Sequence, residues 1–192
     1  MDWKTCAHDH DAGLRESLLG HGFRFGARES IMVGEARALA VDVVLPAGVT
    51  LRRVTDRADV AAMEEMQGEV FDDPDWRRRV DVMMRRLAVG DGMELWVAEV
   101  DGVIISAGRI EPVGGTEFAD LCGGATRVAW RGRGVYRALT AARARAAMAQ
   151  GKSLLHSSST EFSGPILQRA GLAKISETTV YTWRAAPSGR LS

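Results

Sequence analysis

The sequence of 192 residues predicts an α/β fold with both helices and strands (α+β), in which helices flank a mixed, mostly antiparallel central sheet. Two observations support this prediction. From residue 49 onward, strand-like runs and helical periodicities follow one another in the order β-α-α-β-β-β-α-β-α-β. Three of these strands are consecutive and joined by tight turns, which is typical of an antiparallel meander. At this length, a hydrophobic content of 46% is enough for one well-buried core.

Residues 1–47 are predicted to form a small N-terminal extension to a main domain at residues 49–192. A short helix is expected at residues 14–19, stopped by Gly20. Short strands are expected at residues 29–34 and 40–45. We find no internal repeat and no low-complexity tract.

The first half of the main domain begins with alternation typical of a strand at residues 49–54. Asp56 or Asp59 is expected to cap the helix that follows, and residues 72–75 are expected to open a second helix. Asp101-Gly102 is a strong hairpin dipeptide within the meander. The meander strands are expected at residues 94–100, 103–110 and 118–122.

The second half of the main domain contains the longest Ala- and Arg-rich helix, expected at residues 134–150 and stopped by Gly151. A strand, a short helix and a last strand are expected at residues 153–157, 162–169 and 174–183.

Composition excludes several classes of function. The 25 basic and 25 acidic residues balance, which argues against binding to nucleic acid or to an anionic membrane. Cys6 and Cys122 have neither metal-ligand nor disulfide-framework spacing, so we expect a reduced, cytoplasmic protein. From these residues we expect neither a secretory signal nor a membrane-spanning segment. Residues 8–11, His-Asp-His-Asp, are expected to be a polar segment, and no metal site is predicted.

The most informative stretch is residues 124–139, where a Gly-rich strand runs into a helix through Arg131-Gly132-Arg133-Gly134. A helix start with free N–H groups attracts anions. Glycines allow the backbone to approach a ligand closely, and arginines offer several donors to phosphate oxygens. This stretch therefore predicts a site for a phosphorylated ligand.

The same stretch resembles the acyl-CoA loop of the GCN5-related N-acetyltransferase (GNAT) superfamily, Arg/Gln-x-x-Gly-x-Gly/Ala. Arg131 and Gly134 match this pattern, whereas Tyr136 stands in place of Gly or Ala. Residues 165–172 resemble the closing helix of the family, with Gly171-Leu172 for Gly-Phe. The resemblance covers residues 49–192 and implies an N-acetyltransferase that uses acetyl-CoA as acyl donor and moves the acetyl group directly to an amine.

The resemblance also implies roles for individual residues. The fifth strand of the family fold, near residues 156–158, would diverge from the fourth to admit the cofactor. The pantetheine arm would pair with the backbone of Ala125, Thr126 and Arg127. The pyrophosphate would bind the backbone N–H groups of Arg131, Gly132, Arg133, Gly134, Val135 and Tyr136, with the side chain of Arg131, Arg133 or Arg137 in reach of a phosphate.

Asp120 is the candidate general base, because it follows Phe118-Ala119 at the spacing of the family's Glu from the first loop position. An alternative is a polar residue on a solvated strand face. Glu111, Glu161 and His156 are other possible bases. The family's tyrosine acid is replaced by Leu167; the possible substitutes are Tyr136, Tyr181 and Ser158.

The partner is expected to be a small-molecule or peptide amine, and a homodimer is a possible assembly. The alternative function is an acyl-CoA-binding regulatory or degenerate module. Cys122 is expected to be an inert strand cysteine.

Overall fold

The computed structural model describes residues 1–9 and 13–183, and from β3 onward the strands and helices follow the predicted order. The strands are β1 (Asp2–Cys6), β2 (Arg24–Glu35), β3 (Thr50–Val54), β4 (Glu94–Val100), β5 (Val103–Pro112), β6 (Phe118–Thr126), β7 (Leu154–Ser159) and β8 (Ala173–Thr182). The helices are α1 (Leu14–Gly20), α2 (Ala36–Leu39), α3 (Arg57–Phe71), α4 (Trp76–Val89), α5 (Val135–Ala149) and α6 (Gly164–Arg169).

All these strands belong to one eight-stranded sheet in the order β1-β8-β2-β7-β6-β5-β4-β3. Its neighbours are antiparallel except for the parallel pair β6 and β7. The predicted mixed, mostly antiparallel sheet is therefore confirmed. Residues 1–47 share this sheet, because β1 forms one edge and β2 lies between β7 and β8.

The core lies on both faces of the sheet, as the alternation along β4 requires. Leu95 and Val97 pack in a cluster with α3 and α4, whereas Trp96 packs against a cluster formed with α2, α5 and α6. Asp56 caps α3, and Gly151 follows the end of α5, as predicted. Asp101 and Gly102 both have positive φ, 49° and 76°, as a two-residue hairpin turn requires.

A strand–helix–strand unit occurs twice, although the sequence shows no internal repeat. In β1-α1-β2, the Phe23 N–H donates to the Leu18 carbonyl at 3.0 Å, and in β7-α6-β8 the Leu172 N–H donates to the Leu167 carbonyl at 3.0 Å. The two units interleave as β1-β8-β2-β7. The first residue of each inner strand pairs with the tenth of the other, Arg24 with Thr182 and Ala173 with Val33, which gives the arrangement a local two-fold symmetry.

The predicted strand at residues 40–45 is wrong. This segment has no strand pairing, because the chain here leaves β2 and crosses over one face of the sheet to reach β3 at the far edge. Leu45 packs with Val49, Ile105 and Val135 on that face. The apolar Leu45 of this segment is therefore covered by packing on α5 and the sheet face and not by pairing as a strand.

The N-cap of α3 allows a direct test of local stability. The Asp56 carboxylate accepts a hydrogen bond from the Asp59 N–H at 3.0 Å, whereas Asp75 at the N-cap of α4 makes no such bond. We expect Asp56→Ala to lower the free energy of unfolding by about 1 kcal/mol and Asp75→Ala to change it by less than about 0.5 kcal/mol. Urea unfolding followed by circular dichroism measures both. Equal losses in the two variants would contradict the assigned cap.

Candidate active site

A cleft opens in the sheet between β6 and β7. The two strands pair over three residue pairs only, Phe118 with Leu154, Ala119 with Leu155 and Asp120 with His156. Beyond this point the Ser157 hydroxyl donates to the Leu121 carbonyl at 3.3 Å, and the backbones no longer pair. This is the divergence that the resemblance implied near residues 156–158.

The Arg/Gly turn lies where β6 leads into α5, beyond the divergent end of β6. Gly132 and Gly134 have φ values of 74° and 82°, a region that favours glycine. Gly134 is the N-cap of α5, and neither a side-chain cap nor an acidic residue occupies the first turn. The first N–H groups of α5 are therefore not capped by a side chain, and the positive end of the helix dipole lies at this turn.

Two of the arginines near the turn hold it in shape. Arg131 Nε donates to the Thr126 carbonyl at 3.1 Å, and Arg127 Nε donates to the Ile104 carbonyl at 3.0 Å. Arg127 also forms an ion pair with Glu69. Sequence reasoning placed Arg131 among the phosphate ligands, and the structure shows that its side chain already has a backbone partner.

The other two arginines are exposed. The Arg133 guanidinium lies 5.1 Å from the centre of the Trp130 ring, a cation–π contact. Arg137, in the first turn of α5, makes no hydrogen bond or ion pair with residues 1–9 or 13–183. Arg137 and Arg133 are thus the side chains best placed to bind a phosphate oxygen beside the turn.

The backbone predicted to meet the pantetheine arm is buried and partly engaged. The Ala125 carbonyl accepts from the Ser106 hydroxyl at 2.7 Å, and the Arg127 N–H donates to the Ile105 carbonyl at 2.9 Å. The Thr126 hydroxyl lies 2.8 Å from that of Ser106. A ligand that adds to β6 would use the edge that faces the cleft, opposite β5.

Tyr136 fills space above β6. A Cβ on Gly124 would lie 2.9 Å from Tyr136 Cε2 and 3.4 Å from the tyrosine hydroxyl, so the ring lies directly over this glycine. Tyr136 and Leu167 line the same small cavity between α5 and α6. Leu167, at the position where the resemblance would have a tyrosine acid, is only 1% exposed and carries no hydroxyl.

The other candidate acids and bases are less favourably placed. Tyr181 lies on β8, two strands away from β7, and packs edge-on against Phe25 at 5.8 Å. Ser158 and Glu161 are exposed beyond the part of β7 that pairs with β6.

The segment that crosses from β2 to β3 forms a wall of the site that sequence reasoning missed. A Cβ on Gly134 would lie 3.6 Å from Val43 Cγ1. The Arg145 guanidinium of α5 donates hydrogen bonds to this segment, to the Val41 carbonyl at 2.9 Å and to the Asp42 carboxylate at 2.7 Å. No local sequence pattern predicts these contacts, because the partners are more than 90 residues apart in the chain.

A row of polar side chains crosses the face of the sheet opposite α5. Glu111, Asp120 and His156 are successive register partners on β5, β6 and β7, and so point to the same face. Their neighbours Ile110, Ala119 and Leu155 pack into the cluster with α5. His156 Nδ1 lies 3.0 Å from the Asp120 carboxylate.

Two arginines neutralise Glu111. Arg86 of α4 donates to its carboxylate at 2.8 Å, and Arg109 donates to the other oxygen. Burial raises the pKa of Glu111, but the hydrogen bonds from Arg109 and Arg86 outweigh it and hold the pKa below its ordinary value of 4.5. Burial also raises the pKa of the nearby Cys122 thiol, which makes this cysteine a poor nucleophile, as expected.

A buried arginine connects α5 to the strands behind the cleft. Arg143 is 1% exposed and donates to the carbonyls of Arg109 at 3.3 Å and Cys122 at 3.4 Å, and to the Thr140 hydroxyl at 3.1 Å. A Cβ on Gly108 would lie 2.5 Å from Arg143 Nη1, so only glycine leaves room for this side chain. No carboxylate within the described ranges pairs with it.

The N-terminal polar segment brings Cys6, His8 and Asp9 together, with ligand atoms within 4.8 Å of one another. The Asp9 carboxylate accepts from the Cys6 N–H at 2.6 Å, which accounts for the turn without an ion. His10 and Asp11 lie outside the described residues. In the described part of the chain, no helix is both long and apolar enough to cross a bilayer.

Comparison with known proteins identifies the fold. No protein-family model matches the sequence, and no curated protein matches it significantly. Solved structures match over most of the chain. A GCN5-related N-acetyltransferase from Kribbella flavida is 18% identical with a TM-score of 0.66, over 99% of this chain and 69% of its own. A tandem GNAT protein from the clavulanic acid biosynthesis pathway is 17% identical with a TM-score of 0.66, over 98% of this chain and 65% of its own.

A smaller structural neighbour was solved with a bound ligand. A predicted acetyltransferase from Clostridium acetobutylicum, solved with acetyl-CoA, is 13% identical with a TM-score of 0.58, over 66% of this chain and 91% of its own. These likenesses show that the chain has the GNAT fold, and they confirm the fold expected from the resemblance.

The lowered pKa of Glu111 predicts a pH-dependent contribution to stability. A carboxyl with a depressed folded-state pKa stabilises the fold fully above its ordinary value of 4.5, and this stabilisation is lost as pH falls through the folded value. Glu111→Gln should therefore lower the free energy of unfolding by about 1–3 kcal/mol at neutral pH, and the difference from wild type should shrink in acid. Urea denaturation between neutral and acidic pH measures this.

The control for this prediction is Glu65→Gln, since Glu65 is exposed on α3 and has no hydrogen bond or ion pair to the described residues. We expect no change at any pH. If the free energy of unfolding lost in Glu111→Gln is the same at neutral and acidic pH, the two arginines do not act through the charge of Glu111.

Proposed function

We propose that this chain, whose fold is that of the GCN5-related N-acetyltransferases, moves an acetyl group from acetyl-CoA to the amine of a small molecule or peptide. One observation carries the proposal. The parallel pair β6 and β7 ends after three residue pairs, and the open strand β6 leads, through one 3₁₀ turn at residues 128–130, to the Gly134 turn at the uncapped start of α5. A phosphorylated donor can therefore bind at the turn and extend its acyl end along β6 towards the point of divergence.

The donor would be held mainly by backbone. The N–H groups of residues 132–136, in the turn and the first turn of α5, suit a pyrophosphate, with Arg133 and Arg137 exposed beside them. The Arg131 N–H, also expected to bind the pyrophosphate, already donates to the Val128 carbonyl at 3.2 Å. The arm would add to the free edge of β6 near residues 125–127, in the manner of a β-strand.

The acceptor would approach from the other face of the sheet. Asp120 and His156 lie there at the last paired position, and α4 contributes Arg86 to the same face. Direct transfer requires an unprotonated amine, a donor to the thioester oxygen and a proton for the leaving thiolate. The polar row from Glu111 to His156 is the place in the cleft where a proton acceptor is available.

A second function is favoured by specific observations. Leu167 removes the phenol from α6, the Tyr136 ring lies over Gly124, and the crossing segment packs beside Gly134. These features suit a module that binds an acyl-CoA, or a related phosphorylated ligand, without turning it over.

Introducing a negative charge at the start of α5 tests the turn as an anion site. Gly134→Asp places a carboxylate where the pyrophosphate would lie, and acetyl-CoA affinity should fall at least about 100-fold, the cost of about 3 kcal/mol of repulsion and lost contact. Isothermal titration calorimetry with acetyl-CoA measures this. Aspartate at position 134 must adopt a φ of 82°, so circular dichroism and thermal unfolding first establish that the variant is folded.

The matched control is Gly151→Asp at the other end of α5. Gly151 has a similar φ of 75°, and a Cβ there would meet no atom within 4 Å. This variant shares the backbone strain and the added charge and should retain acetyl-CoA binding. Unchanged affinity in a folded Gly134→Asp variant would contradict the donor site.

Turnover separates the two functions. Wild-type protein with acetyl-CoA and a panel of small-molecule and peptide amines should release free thiol, which a colorimetric reagent detects continuously. Acetyl-CoA binding with no thiol release above the hydrolysis blank, on any amine, would support the binding module instead.

A further inference from the structure

We propose that His156 takes the proton from the acceptor amine and that Asp120 acts through it as a positioning residue. This inference rests on the proposed function, whose candidate base was Asp120. It follows from the contact that joins the two side chains, His156 Nδ1 to Asp120 Oδ1 at 3.0 Å.

The pair lies at the point where the cleft begins. Asp120 and His156 are the last of the three residue pairs between β6 and β7, and the next residues belong to diverging strands. The side chains are 35% and 31% exposed, so each is held by its neighbours yet reachable from solvent. A group at this position faces both the donor's acyl end in the cleft and an acceptor on the α4 face.

The neighbouring charges leave His156 as the available base. Glu111 is bound by Arg86 and Arg109, and its lowered pKa makes it a weak proton acceptor. Asp120 directs a carboxylate oxygen at the imidazole. Within residues 1–9 and 13–183, the imidazole Nε2 of His156 has no hydrogen-bond partner.

The hydrogen bond defines the tautomer. A carboxylate only accepts, so a neutral imidazole beside it carries its proton on Nδ1, and the lone pair is on Nε2. A base oriented by a third group in this way is a recurrent catalytic arrangement. Besides Glu111, Arg86 and Arg109, the half-buried Cys122 thiol lies near this pair, the β2 neighbour of His156 is the apolar Val33, and Glu35 lies further along β2, paired with Arg37.

The proton balance is complete without a further reactant. Nε2 accepts one proton from the acceptor ammonium, and the free amine attacks the thioester carbonyl. The C–N bond forms, the C–S bond breaks, and the second proton on nitrogen passes to the thiolate, which leaves as a thiol. His156 then releases its proton to water, so each turnover yields amide, thiol and one proton.

Enzyme kinetics on the full chain test the assignment. His156→Gln should lower kcat by about 10²–10⁴-fold with acetyl-CoA affinity unchanged, and should abolish the acid limb of the kcat/KM–pH profile. Asp120→Asn should lower kcat less, by about 10–100-fold, because the amide can donate to Nδ1 and turn the imidazole to the wrong tautomer. His21→Gln, at an exposed histidine after α1, is the control and should match wild type.

A readout independent of turnover accompanies the kinetics. Long-range ¹H–¹⁵N spectra of wild type above neutral pH should show the His156 proton on Nδ1, and Asp120→Asn should move it towards Nε2. A wild-type proton on Nε2, or a His156→Gln variant with full activity and an intact acid limb, would overturn the assignment. A wild type that binds acetyl-CoA without turnover on any amine would overturn the proposed transfer, and the role of His156 with it.

Discussion

The short parallel pairing of β6 with β7 is the constraint on which the rest of the site depends. Parallel neighbours require a long crossover, and α5 supplies it by returning across one face of the sheet. The start of α5 is thereby placed beyond the open end of β6. Since pairing stops at Asp120 and His156, this one feature sets the positions of the helix N-terminus, the free strand edge and the polar pair.

The interleaved N-terminal unit imposes a second constraint. Because β2 lies between β7 and β8, the chain must cross the sheet to begin β3 at the opposite edge. It crosses beside α5, where Leu39 and Val41 line the small cavity between α5 and α6 and Val43 lies beside Gly134. One wall of the candidate donor site is therefore built by residues that precede the main domain in sequence. Their removal would expose the apolar faces of α5 and α6.

Sequence reasoning succeeded where the signal is local. Asp101-Gly102 and Gly134 adopt the positive φ values that their turns need, and Asp56 caps α3 as one of the two predicted candidates. It failed at residues 40–45, where an apolar run without strand pairing packs on a helix instead. It also missed the repeated unit, because the two copies share a backbone arrangement and a turn geometry with little shared sequence.

The sequence by itself determined the order of the elements from residue 49 onward and the turn at Gly134, since periodicity and backbone conformational preference act over a few neighbouring residues. Only the tertiary structure decided that Arg131 bonds to the Thr126 carbonyl, that the Tyr136 ring lies over Gly124 and that Asp120 meets His156. The last contact joins residues 36 positions apart. It exists because two parallel strands bring them into register, and no pattern along the chain encodes that register.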